Sequence, residues 1–246
     1  MVVYTMTSAF NQIQFQQQEF DHCMEQLWKL KDDENNQVLD KARILELLAC
    51  ENLDPSSSQN LALRTLSYIG DTQLVKAILK TPNLNIAAKF HDSLCLACST
   101  GRLEVVDVLL KDGRIDPTIP SSIFTDDLVN NALETACAYG HLSVVQLLLN
   151  DPRVDPSSND CLAVTLAAGN GHANILERLL QERRVISNCR PHEALVEAIL
   201  EDHEECVRIL LTTVGIDSHE CKSDALQLAM ERKYYSVIKY LLPQEE

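Results

Sequence analysis

The chain has 246 residues, 46% of them hydrophobic, with seven glycines, eight prolines and a formal net charge of −15 from 36 acidic and 21 basic side chains. Such a composition supports a sizeable core and excludes a disordered or loop-rich polymer. So few cations leave little with which to displace counterions from a phosphate backbone, which sets nucleic acid aside as the main ligand; a solvated acidic exterior and attraction to a basic protein surface both remain open.

At the start, Met1-Val2-Val3-Tyr4 turns polar by Asn11, without the charged-then-apolar order of a secretory signal. Nowhere does an apolar run approach the ~20 residues that span a bilayer. Gln12, Gln14, Gln16, Gln17 and Gln18 lead into Phe20, Met24, Leu27 and Lys31, which step at helical spacing with Trp28 beside them. Asp32-Asp33-Glu34-Asn35-Asn36 then reads as a solvated loop. Residues 1–40 are expected to form an N-terminal helical cap, because the open end of a stacked array needs shielding.

Residues 41–246 read as a repeat array. Leu45 to Asp54 looks like the second half of a partial repeat at about 41–59, and six units follow from about 60 to 242. Their register is set by Gly70, Gly101, Gly140 and Gly171, then Asp202 and Lys233, at spacings of 31, 39, 31, 31 and 31. Four residues before this column stand Leu66, Ala97, Ala136, Ala167, Ala198 and Ala229. Seven before it stand Leu63, Leu94, Leu133, Val164, Leu195 and Leu226. Small and apolar residues at steps of three and four line one face of a first helix, and the alanines let a neighbour approach closely. Asp92, Asn131 and Asp224 are placed to cap three of these helices.

After the column, pairs such as Leu74-Val75 with Ile78-Leu79, and Val144-Val145 with Leu148-Leu149, predict a second helix with a stripe that one hairpin cannot cover alone. Asp54, Asn85, Asp116, Asp155 and Asp217 recur in the connection to the next unit, with Ile186 the exception, and Pro55, Pro117 and Pro156 follow three of them. Asp and Asn close turns through their own side chains and proline stops the preceding helix. Each unit therefore reads helix, tight turn, helix, extended turn. The step of 39 lengthens one extended turn at 118–130, whose Ile119, Ile123, Phe124 and Leu128 are apolar for a loop. That insertion either folds back on the stack or offers an anchor to a partner.

These columns fit any helical-hairpin solenoid, but the wording of particular units is narrower. Ala132-Leu133-Glu134-Thr135-Ala136-Cys137-Ala138-Tyr139-Gly140-His141-Leu142-Ser143-Val144-Val145-Gln146-Leu147-Leu148-Leu149 resembles the ankyrin repeat, as does the run from Leu94 to Val106. The resemblance implies an all-α, ankyrin-type solenoid of stacked helix-turn-helix repeats. Two departures stand out: the period of 31 falls short of the usual 33, and the Thr-Pro-Leu-His opening is missing. Arg64, Cys95, Glu134, Thr165, Val196 and Gln227 take the place of its histidine, so the bonds that histidine makes between turns must be absent or supplied otherwise, and looser turns are expected.

In the resembled family the two residues before the glycine and the turn tips face a concave groove. Carried over column by column, this makes Tyr68, Ile69, Phe90, Ile123, Phe124, Leu128 and Tyr139 the candidate partner-binding residues. The function implied is a non-enzymatic protein–protein interaction module, a scaffold or adaptor acting as a monomer on a partner with a basic or mixed apolar surface. Alternatives are a direct inhibitor of a partner enzyme and a pathogen- or virus-encoded ankyrin effector acting on host proteins in the host cytosol.

Little else in the chain points to chemistry. Nine cysteines, an odd number, fit reduced thiols in the cytoplasm or nucleus. Cys95-x-x-Cys98 has redox or metal spacing, but Cys98 shares a column with Cys137 and Ala168 that wants a small buried residue. Cys189-x-x-His192 and His219-x-Cys221 lie in corresponding turns and could supply a tetrahedral zinc set, although bonds of ~2.0–2.3 Å demand closer convergence than stacked turns give. His141, His172 and His203 repeat with the fold and read as helix starts. No nucleophile–base motif and no phosphate-cradling loop is present. No catalytic residue, metal or cofactor is assigned.

Overall fold

The computed structural model describes residues 14–27, 41–49, 54–55, 57–81, 84, 91–121, 130–189, 192–213 and 219–241, in two units, Met1–Val129 and Asn130–Glu246. The described residues form helices and turns, without a strand. The fold is an all-α helical repeat.

In the first unit, α1 spans residues 14–27 and buries Phe20, Met24 and Leu27, which lie on one helical face. Its polar side ties the helix down: the Gln17 amide donates to the Asp54 carbonyl at 3.0 Å while its oxygen accepts from the Asp54 N–H at 2.8 Å. The Arg43 guanidinium forks onto Glu19 at 2.9 and 2.7 Å. Arg43 belongs to α2 (Lys41–Leu48), which is followed by α3 (Ser57–Ile69), α4 (Thr72–Leu79), α5 (Asp92–Ser99) and α6 (Leu103–Lys111). The hairpins α3–α4 and α5–α6 lie side by side, α3 against α5 and α4 against α6, with α2 on α4.

The second unit repeats the plan with α7 (Ala132–Ala138), α8 (Leu142–Leu149), α9 (Ser158–Gly169), α10 (Ala173–Leu180), α11 (Arg183–Asn188), α12 (His192–Leu200), α13 (Glu204–Thr213), α14 (His219–Arg232) and α15 (Tyr235–Leu241). First helices stack in the order α7, α9, α12, α14, and second helices as α8, α10, α13, α15. Ala136, Ala167, Ala198 and Ala229 are fully buried where first helices meet, together with Val145, Leu148, Leu176, Leu179, Val207 and Leu210 from the second helices. Each buried leucine contributes on the order of 2 kcal/mol of transfer free energy.

The register column owes its glycines to a reversal of the chain. Gly70, Gly101, Gly140 and Gly171 have φ of 92°, 68°, 80° and 74°, left-handed values that let the next N–H return to the carbonyl four residues before the glycine. Those bonds are Asp71 to Leu66, Arg102 to Ala97, His141 to Ala136 and His172 to Ala167, at 2.9–3.1 Å. Asp202 and Lys233 adopt the same turn with φ of 57° and 62°, and His203 and Tyr234 return to Ala198 and Ala229 at 2.8 and 3.0 Å. Two of the connecting aspartates, Asp116 and Asp155, act as expected. Asp116 Oδ1 accepts from the Thr118 N–H at 2.9 Å, and Asp155 Oδ1 from the Ser157 N–H at 3.0 Å.

Three details differ from the sequence reading. Where Ile186 replaces the connecting aspartate, no proline follows and the chain winds into the extra helix α11, with Val185 buried and Ile186 61% exposed. Asp92 is the first residue of α5, not its cap, and its buried carboxylate accepts from Ser121 Oγ at 2.6 Å. Asp224 falls inside α14, which begins at His219. Asn131 does cap α7, in a reciprocal box with Glu134.

Candidate partner-binding surface

The following unit holds the backbone two residues before the register column at three places. Arg102 Nε donates to the Tyr68 carbonyl at 3.2 Å, His172 Nε2 to the Ala138 carbonyl at 3.1 Å, and the Tyr234 hydroxyl to the Leu200 carbonyl at 3.3 Å. Two of these side chains lie over the preceding glycine: a Cβ built on Gly70 would stand 2.6 Å from Arg102 Cδ, and one on Gly140 2.6 Å from His172 Cε1. His203 covers Gly171 equally closely, at 2.7 Å. At Gly70, Gly140 and Gly171 glycine thus serves twice, for its φ and for the room it leaves, whereas Asp202 and Lys233 adopt the left-handed φ with a side chain in place. Thr100 Oγ1 adds a bond to the Tyr68 carbonyl at 3.2 Å.

On this frame Tyr68 and Ile69 sit together, half-buried, at the end of α3 in the first unit. Tyr139, in the second unit, is the C-cap of α7 and is 48% exposed. Phe90, Ile123, Phe124 and Leu128 lie outside the described residues, as do 122–129 of the 118–130 insertion; its Ile119 is 39% exposed.

The sequence reading left unassigned a graded face on the second unit. Leu162 and Leu166, half-buried, and Asn170, exposed, follow one another at steps of four along α9. The matching positions at the neighbouring α12 are Glu193, Glu197 and Glu201, with the outer two exposed. The bare Cα of Gly169 admits the Glu197 stem, whose Cβ lies 3.2 Å from where a Cβ at Gly169 would be. The signal was legible as a stride of four ending one residue before the register column.

The column that lacks its histidine is not left empty. Glu134, 1% exposed, accepts from the Asn131 N–H at 2.8 Å and from the Asn159 amide of the next unit at 2.7 Å. Burial pushes its carboxyl above the ordinary glutamate range, against the lowering effect of those bonds. In the first unit Arg64 lies 3.9 Å from Asp92, itself bonded to Ser121, and burial lowers the guanidinium against that carboxylate's pull. His91 adds a tie between connections, its Nδ1 accepting from the Asp116 N–H at 3.2 Å.

The cysteines are mostly packing. Cys95, Cys98, Cys137 and Cys206 are buried, and burial raises the Cys137 thiol and pushes the Cys206 thiol up to about 11. The expectation of reduced thiols fails at one pair, since Cys161 and Cys189 form a disulfide. Cys189 is thereby committed away from the zinc set weighed with His192, His219 and Cys221. Among the described residues no group of three or more His, Cys, Asp or Glu could hold a metal ion, and no helix is long and apolar enough to cross a membrane.

Comparison with curated proteins finds no match. A family profile described as ankyrin repeats (3 copies) matches residues 62–160, 133–221 and 164–246, overlapping windows that together run without a break from the second turn of α3 through the last helix. Paired helices stacked in two layers, left-handed register turns and that match agree: the chain belongs to the ankyrin-repeat family, a family of protein–protein interaction modules.

Proposed function

We propose that the chain is a non-enzymatic adaptor whose residues 41–246 form the binding array and whose residues 1–40 cap it. It acts as a monomer in the cytoplasm or nucleus, and its partner presents a short apolar anchor followed by basic side chains. The observation that carries this reading is the grading of the second unit's first-helix layer, from exposed Tyr139 through Leu162 and Leu166 to Glu193, Glu197 and Glu201. A rigid aromatic at modest entropic expense is a good anchor, and three carboxylates at helical spacing favour cations in register. Tyr68 and Ile69 serve as a further contact in the first unit, joined in this reading by Phe90, Ile123, Phe124 and Leu128.

The test is crosslinked capture with the intact chain, with Tyr139→Ala, and with Glu193→Gln/Glu197→Gln/Glu201→Gln. A specific band should weaken in both variants, and more steeply with added salt in the intact chain than in the glutamine variant. Unfolding midpoints of Tyr139→Ala and intact protein should agree within about 0.5 kcal/mol, as for surface substitutions. Equal capture by all three would remove the reading. An inhibitor role is separated by rate: an inhibitor slows the captured partner alone, whereas an adaptor needs a third component.

A further inference from the structure

The Cys161–Cys189 pair stands on geometry that does not depend on the bond. Their Cα atoms are 5.6 Å apart, within the span a disulfide bridges. Cys161 ends the left-handed turn at the start of α9 and is 4% exposed, whereas Cys189 caps the C-terminus of α11 and is half-buried, so a small reagent meets the Cys189 sulfur first. The two stations are also fastened by other groups. The Asn188 amide donates to Ser157 Oγ at 3.2 Å, Arg184 lies 3.5 Å from Asp155, and Val185 seals the underside of α11. With the bond open, Cys161 Sγ has an acceptor waiting, the Ser157 carbonyl at 3.7 Å. The open state thus leaves the Cys161 sulfur an acceptor on the same backbone.

We propose that Cys161 and Cys189 are a reversible dithiol–disulfide site, oxidised by a low-molecular-weight disulfide of the glutathione type. The Cys189 thiolate attacks one sulfur of that disulfide and expels the first small thiolate, leaving a mixed disulfide on Cys189. The Cys161 thiolate then attacks the Cys189 sulfur and expels the second small thiolate. Two electrons leave the protein, its two thiol protons pass to the two small thiols, and excess small thiol reverses both steps. Closure ties the start of α9 to the end of α11 across a sequence separation of 28. It also fixes the turn Asn159-Asp160-Cys161, whose φ of 51°, 52° and 64° are all left-handed. Such a tie restricts the unfolded chain and raises the stability of the second unit. Buried Cys137 and Cys206, raised toward the thiol form, are poor competitors for the same reagent.

The full chain is equilibrated in buffers of graded oxidised-to-reduced glutathione ratio, quenched with acid, alkylated, and read by intact mass and peptide mapping. At the oxidising end two alkyl groups should be missing, both mapping to Cys161 and Cys189. At the reducing end both should return with an unchanged helical circular dichroism spectrum. The oxidised chain should melt roughly 5–10 °C higher, and Cys161→Ser or Cys189→Ser should abolish that shift while keeping the helical spectrum. Full alkylation at the oxidising end, bonds mapping to other cysteines, or a pair that stays closed at the reducing end would each overturn the proposal.

Discussion

The junction between α3 and α5 in the first unit and that between α7 and α9 in the second solve one problem with opposite charges. Both have a polar residue six before the register glycine where a first helix meets the next unit, Arg64 half-buried and Glu134 buried. Glu134 is satisfied by neutral donors, a backbone N–H and the Asn159 amide, and so needs no counter-ion. Arg64 leans on Asp92 at 3.9 Å, a contact of charge more than of direction, while Asp92 spends its hydrogen bond on Ser121. The position demands a polar tie between successive turns and is indifferent to which residue supplies it. At these two junctions the contacts that the histidine would make are supplied by other groups.

The comparison breaks most sharply at Glu134. Glu134→Ala strips an acceptor from the buried Asn131 N–H and another from the Asn159 amide, which water can reach, and should destabilise the chain by about 2 kcal/mol in urea unfolding. Asn159 lies at a left-handed turn, so the same variant should loosen the start of α9, seen as faster amide exchange there. A loss no larger than that of an exposed glutamate would show that the carboxylate is not a tie.

Arg64→Ala should cost about 2 kcal/mol, because it leaves the Asp92 carboxylate buried beside only a hydroxyl. The double change Arg64→Met/Asp92→Asn should recover most of that, since replacing both charges removes the desolvation penalty. A double variant as unstable as Arg64→Ala would mean that direction, and not charge, holds this junction.

The pH response distinguishes the two junctions more gently. The Glu134 carboxyl sits above its unfolded range, so its folded form takes up a proton more readily than the unfolded chain does. Its contribution is therefore greatest below the unfolded pKa and is lost as pH rises through the folded one. Asp112 and Asp151, held low first by hydrogen bonds from Arg114 and Arg153, behave in reverse, contributing above the unfolded pKa and losing that as pH falls through the depressed one. Denaturation midpoints of intact protein and Glu134→Gln, taken across the acid range, should converge as pH drops if the assignment is right. Parallel profiles would exclude it.

Much of the architecture was readable from the residues in a row. Small or apolar residues four before each glycine, paired aliphatics after it and Asp-Pro connections act over a few residues, and helix formation, left-handed reversal and side-chain-closed turns are local events. Even Asp202 and Lys233 fall in the column by sequence, because everything around them keeps register. The choice of ties was not readable in that way. Glu134 meets Asn159, Arg64 meets Asp92, and Cys161 meets Cys189 across separations of 25 to 28 residues. Which of several polar groups or thiols meets its partner at such a separation depends on the distance between stacked helices to within an ångström. Periodicity sets that stacking, but only the packed chain decides what touches across it.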